Sequence, residues 1–91
     1  MKYEIASTNR FNKEVRQLKK RGYDIDKLDC TVDLLVRGDV MPAQYRDHAL
    51  VGSWEGHREC HIMPDWLLVY YIKEETLVLT LTRTGTHSDL F

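Results

Sequence analysis

Cysteine and proline are scarce in this chain, two of each among 91 residues. Cys30 and Cys60 cannot build the dense disulfide framework of a small secreted scaffold, so a reduced, cytoplasmic setting is expected. Long hydrophobic runs are missing too. The longest, Trp66 to Ile72, has seven residues, far short of the roughly 20 that span a bilayer. Met1-Lys2-Tyr3-Glu4-Ile5 has neither the apolar core nor the small-residue cleavage site of a signal peptide. No charge of one sign dominates: 13 Lys/Arg stand against 14 Asp/Glu, a net charge of −1. Nucleic-acid binding by bulk charge alone is thereby excluded. No linker, repeat or low-complexity stretch interrupts residues 1–91, which therefore read as one domain.

What charge there is lies unevenly. Arg10, Lys13, Arg16, Lys19, Lys20 and Arg21 form a basic run broken only by Glu14. On pattern alone such a run is the solvated face of a helix. The periodicity agrees, since Phe11, Val15 and Leu18 fall at i, i+4 and i+7. Ser7, Thr8 and Asn9 offer N-caps, and Gly22 ends the helix. Asp24 can cap a second helix, carried by Ile25, Leu28, Val32, Leu35 and Val36 and stopped by Gly38. The short Gly22-Tyr23 link makes the pair an antiparallel hairpin.

Lys2 to Ala6 alternates like a short strand, whereas Asp39 to Ser53 has no sustained period. Three further strands are expected: Trp54–Ile62, Asp65–Lys73 and Leu77–Thr82, with turns at Pro64-Asp65 and Glu74-Glu75. The middle one is apolar on both faces, as a covered central strand would be. The predicted order is β-α-α-β-β-β, an α+β fold with a helical hairpin packed on a mostly antiparallel sheet.

All four histidines, both tryptophans, Arg58 and Arg83 fall in two clusters of the second half, Asp47–Trp66 and Thr82–Phe91. His57-Arg58-Glu59-Cys60-His61 superficially matches a zinc motif, but the glutamate is misplaced. On a strand the two imidazoles stand roughly 13 Å apart, too far for one ion. Ser53 and Ser88 lack a nucleophile context, and Cys60 and His61 point to opposite faces of a strand. Acid–base chemistry fits better. His48, His61, Asp65 and His87 come from a loop, a strand, a strand start and the C-terminal segment, which can converge at one sheet edge. Arg58 and Arg83 add fixed charge, and Trp54, Trp66 and Phe91 add flat surfaces. Together they suit metal-free RNA cleavage: a base takes the 2′-OH proton, arginine steadies the phosphorane and an acid protonates the departing 5′-oxygen. The plainer alternative is a set of unrelated surface histidines.

Asp47-His48-x-Leu50-x-Gly52-x-Trp54, Arg58-Glu59-x-His61, Pro64-Asp65-Trp66-x-Leu68-x-Tyr70 and Arg83-Thr84-Gly85-Thr86-His87-x-x-Leu90-Phe91 resemble the YafQ branch of the RelE/ParE toxin superfamily. The resemblance implies the toxin of a type II toxin–antitoxin system, a ribosome-dependent endoribonuclease that cuts mRNA in the A site without metal or other cofactor. The products implied are a 2′,3′-cyclic phosphate and a 5′-hydroxyl. It also implies a cognate antitoxin as partner, operator DNA reached only through that antitoxin, and no membrane. By the same resemblance His48, His61, Asp65 and His87 are the acid–base residues and Arg83 steadies the phosphate. Arg58, Trp66 and Phe91 contact RNA or shape the site. His87 is expected as general acid, and His48 or His61, helped by Asp65, as base. Arg83 is in phase with Leu77, Leu79 and Leu81, so reaching the site requires a bulge or a strand end near Thr82. Two features depart from the family pattern: a pI near 6.4 and His57 in place of a tyrosine. The alternative within the superfamily is a non-enzymatic member acting by binding, either a gyrase poison or a non-toxic co-repressor.

Overall fold

The computed structural model describes residues 2–91. Strand β1 (Glu4–Ser7) leads into helix α1 (Asn9–Lys20), and α2 (Ile25–Arg37) follows after a short link. Thr8 caps α1 by accepting from the Phe11 N–H. At the other end Gly22, at φ 89°, closes the helix with bonds from Gly22 N to Lys19 O and from Tyr23 N to Leu18 O. A glycine suits this left-handed stop because it lacks the Cβ that makes the conformation costly. Asp24 caps α2 by accepting from Asp26 N, and Gly38 ends it in the left-handed region.

The five strands lie in the order β1-β5-β4-β3-β2, where β2 is His48–Ala49, β3 Arg58–Met63, β4 Trp66–Lys73 and β5 Val78–Gly85. β1 runs parallel to β5 and every other pairing is antiparallel. Both helices pack on one face, where Phe11, Leu18, Leu28, Leu35 and Val36 meet Cys60, Trp66, Leu68, Tyr70, Leu79 and Leu81. Met41 joins this core, whereas neighbouring Val40 is exposed. The opposite face is covered more thinly. There Leu67 and Val69 are shielded by Leu90 of a one-turn helix, α3 (His87–Leu90), and by Leu50 and Trp54. β4 is thus buried on both sides, as its unbroken apolar run anticipates.

Several expected boundaries move, among them those of β1, which is Glu4–Ser7 rather than Lys2–Ala6, and of β5, which runs on to Gly85. Trp54 lies in a 3₁₀ turn (Gly52–Trp54), so β3 begins only at Arg58. Leu77 adopts φ 54° inside the Glu74–Leu77 turn rather than starting β5. The stretch read as irregular contains β2, whose two residues pair with Arg58 and Glu59. Two residues carry no periodicity, so neither β2 nor the four-residue α3 has a pattern to read.

Candidate functional site

Side chains paired across antiparallel strands share a face. The register therefore places one row across the sheet: His48 opposite Glu59, Glu59 opposite Val69, Val69 opposite Arg83. An adjacent row runs His61, Leu67, Gly85. Both rows lie on the face away from the helical hairpin. Arg83 belongs to its row because the β4–β5 register shifts: Tyr70 faces Leu81 while Val69 faces Arg83, leaving Thr82 as the extra residue of a bulge. That single residue turns Arg83 from the phase of Leu79 and Leu81 to the other side.

The three imidazoles are neighbours, with ring centroids 6.4 Å apart for His48–His61 and 5.8 Å for His61–His87. Each has its Nδ1 fixed by an acceptor: the Arg46 carbonyl for His48 (2.7 Å), the Pro64 carbonyl for His61 (3.1 Å) and Asp65 Oδ1 for His87 (2.8 Å). A carbonyl or carboxylate oxygen can only accept, so Nδ1 carries the proton in all three and Nε2 is left as the exchanging nitrogen. Among the described residues no hydrogen bond reaches Nε2 of His48 or of His87. Nε2 of His61 instead faces Glu59 Oε1 at 3.5 Å.

Asp65 thus partners His87 and not the other two rings. The His87 side-chain bond, then the His87 backbone N–H at 3.1 Å, hold its carboxyl below the usual carboxylate range. His57, the remaining histidine, stands apart between Trp54 and Tyr71, with centroids at 5.3 and 5.1 Å. Trp54 continues this aromatic strip to Phe91 at 6.2 Å, and Phe91 is 59% exposed.

The remaining expected residues lie elsewhere. Arg58 pairs with Tyr70 on the helix-covered face, and its Nε donates to Asp47 Oδ1 at 3.2 Å. The Tyr70 hydroxyl donates to the same oxygen at 2.7 Å, so Asp47 is anchored from two sides immediately before His48. Trp66 is 1% exposed and donates from Nε1 to Thr84 Oγ1 at 3.0 Å. Its ring is packed in the core and offers no face to a base. Arg83 is 7% exposed. Its Nη2 meets Glu14 Oε2 at 2.6 Å, and further donors reach the carbonyls of Leu90 and Asp89 at 3.5 and 3.4 Å.

Two carboxylates went unassigned from sequence. Glu59 is 5% exposed beside His61, and the i, i+2 spacing on a strand was a usable signal for their common face. Glu14 was visible only as the lone acid of α1, and its partner lies 69 residues away. Among the described residues no three His, Cys, Asp or Glu side chains group so as to hold a metal ion. Nor is any helix among them long and apolar enough to cross a membrane.

Known proteins resemble this chain in sequence and in fold. A sequence family described as "Bacterial toxin of type II toxin-antitoxin system, YafQ" matches residues 3–91. The mRNA interferase toxin YafQ of Escherichia coli K12 is 39% identical over 89 residues, covering 97% of this chain and 95% of that protein. The crystal structure of YafQ from E. coli BL21(DE3) superposes with a TM-score of 0.91 at 38% identity, covering 98% of each chain. A DinJ–YafQ complex from E. coli matches with a TM-score of 0.90 at 39% identity, again covering 98% of each chain. The chain belongs to the YafQ family of bacterial toxins from type II toxin–antitoxin systems.

Proposed function

We propose that this toxin is an endoribonuclease that cuts mRNA in the ribosomal A site by acid–base chemistry without a metal. The observation that carries the reading is the cluster of three Nδ1-anchored imidazoles beside one sheet face, with Nε2 unoccupied on His48 and His87. The E. coli relative's description as an mRNA interferase supports it. His48 Nε2 takes the 2′-OH proton, the 2′-oxygen attacks phosphorus, and the P–O5′ bond breaks as His87 Nε2 protonates the 5′-oxygen. The products are a 2′,3′-cyclic phosphate and a 5′-hydroxyl. Asp65, accepting from Nδ1, steadies the imidazolium form of His87 whose Nε2 proton is the one given up, and Glu59 orients His61 between the two. Each proton-transfer group contributes about 10²–10⁴ in rate.

The exposed ring of Phe91, backed by Trp54, supplies a surface on which an unstacked base rests. Arg10, Lys13, Arg16, Lys19 and Lys20 are exposed on α1 and provide the phosphate contacts to the ribosome that a net charge of −1 does not. The cognate antitoxin is the protein partner, as in the DinJ–YafQ complexes, and operator DNA is reached only through it. The setting is the cytoplasm.

The test is expression of the wild type beside His87→Ala and His48→Ala, with mapping of mRNA 5′ ends. Codon-phased cuts in the wild type, lost in both variants, are expected. Equal growth arrest by all three without cuts would refute the enzymatic reading.

A further inference from the structure

Helix α3 is a single turn of four residues, too short to hold its shape unaided, and it begins at His87. Its own supports are a capping box between Thr86 and Asp89 and the burial of Leu90 on Leu67 and Val69. Asp65 holds its first residue, accepting from the His87 N–H and Nδ1, and Arg83 holds its far end. The Arg83 Nη1 and Nη2 groups donate to the carbonyls of Leu90 and Asp89, which have no partner within so short a helix. Arg83 is in turn held by Glu14: Nη2 to Oε2 at 2.6 Å, Nε to Oε2 at 3.2 Å and Nε to Oε1 at 3.4 Å. Glu14 Oε1 also accepts from Thr84 N at 3.2 Å. This covers the β5 edge where β1 has ended, since the last β1–β5 pair is Ser7 with Leu81. The Arg83 and Glu14 side chains are 9% and 12% exposed. A second tie between α1 and α3, Arg21 to Asp89 at 2.9 Å, is largely exposed and correspondingly weak.

We propose that Glu14 is a positioning residue of this toxin: from α1 it clamps Arg83, and Arg83 clamps the turn that carries His87. The inference rests on the assignment of His87 as the general acid. It also gives Arg83 a different part from direct phosphate stabilisation. Its charge is neutralised by Glu14, and Nε, Nη1 and Nη2 each donate to Glu14 or to α3. Glu14 is the only acid in α1, whose sequence is NRFNKEVRQLKK, and it alone turns inward to an ion pair with β5.

The two parts for Arg83 predict opposite signs for Glu14→Gln. If Glu14 merely occupies a phosphate-binding arginine, removing its charge frees the guanidinium and leaves cleavage unchanged or faster. If Glu14 is the clamp, cleavage slows. A displacement of about 1 Å in a catalytic group costs on the order of 10²-fold, and the loss falls on kcat with KM little changed. Hydrogen exchange at Leu90 and Phe91, whose amides donate to the carbonyls of Thr86 and His87, supplies a readout independent of RNA. Both are expected to exchange faster in Glu14→Gln while the β4 amides of Leu68 and Val69 keep wild-type protection. Arg83→Lys, which keeps the charge and loses the planar fork, is expected to reproduce both effects and replaces Glu14→Gln if that variant does not fold. Unchanged α3 exchange in the folded variant, or cleavage at or above the wild-type rate, overturns the proposal. If the wild type itself cuts no mRNA, the enzymatic reading fails, and the exchange data still decide whether Glu14 holds α3.

Discussion

Replacing Trp66 by phenylalanine separates a ring packed in the core from one that contacts RNA. The indole is 1% exposed, its N–H is bonded to Thr84 Oγ1 at 3.0 Å, and it forms a T-shaped pair with Tyr23 at 5.1 Å between centroids. Losing the hydrogen bond costs about 1 kcal/mol. Phenylalanine also lacks two ring carbons, at about 0.8 kcal/mol each for buried apolar groups. Thr84 Oγ1 keeps its donation to Leu67 O at 2.7 Å, so no donor is orphaned. The total is about 2.5 kcal/mol. A chain of this size has a folding stability of about 5–14 kcal/mol, so the variant remains folded at moderate temperature. The melting temperature should fall by about 10–20 °C, at about 4–8 °C per kcal/mol for a domain near this size. Thermal unfolding followed by circular dichroism measures that. Cleavage assayed well below the new midpoint should stay within a few-fold of wild type, by the assignment of this ring to the core. An unchanged melting temperature with cleavage down by an order of magnitude would refute the placement of Trp66 inside the core and make it an RNA contact.

Two further outcomes follow from groups whose titration is displaced. The Asp65 carboxyl lies below its ordinary value because of His87. What it contributes to stability is therefore fully present above the ordinary carboxylate pKa of about 4 and is lost as pH falls through the lowered native value. Following the His87 ring by NMR against pH should show it released from Asp65 in that acidic window. Asp65→Asn should remove the transition and slow cleavage by about 10²-fold; a transition that persists in the variant contradicts the pairing. Cys60 is fully buried and its thiol is pushed up to about 12, mainly by burial, whereas Cys30 is exposed on α2. A thiol reagent at neutral pH should therefore titrate one cysteine in the native protein and two after denaturation. Two fast-reacting thiols in the native state would show that Cys60 is reachable.

The helices were legible because their apolar spacing, their caps at Thr8 and Asp24 and their stops at Gly22 and Gly38 are all local signals. The same holds for β4, whose continuous apolar run marks a strand covered on both faces. The membership of the histidine cluster was legible because His48, His61, Asp65 and His87 lie in recognisable motifs, although residue type alone did not set His57 apart from the other three histidines. The arrangement of that cluster was not. It depends on a two-residue strand, a one-turn helix and a bulge at Thr82, none long enough to impose a period on the sequence. Which carboxylate serves which ring is a matter of contacts across 22 residues for His87 with Asp65 and across 69 for Arg83 with Glu14. An arginine's partner is set by the element packed against it, and no pattern within its own strand records that. The sequence by itself named His48, His61, Asp65 and His87 as the candidates for proton transfer. Only the packing of α1 and α3 against β5 decided that Arg83 is spent inside the fold, because a buried guanidinium must be paired where it lies.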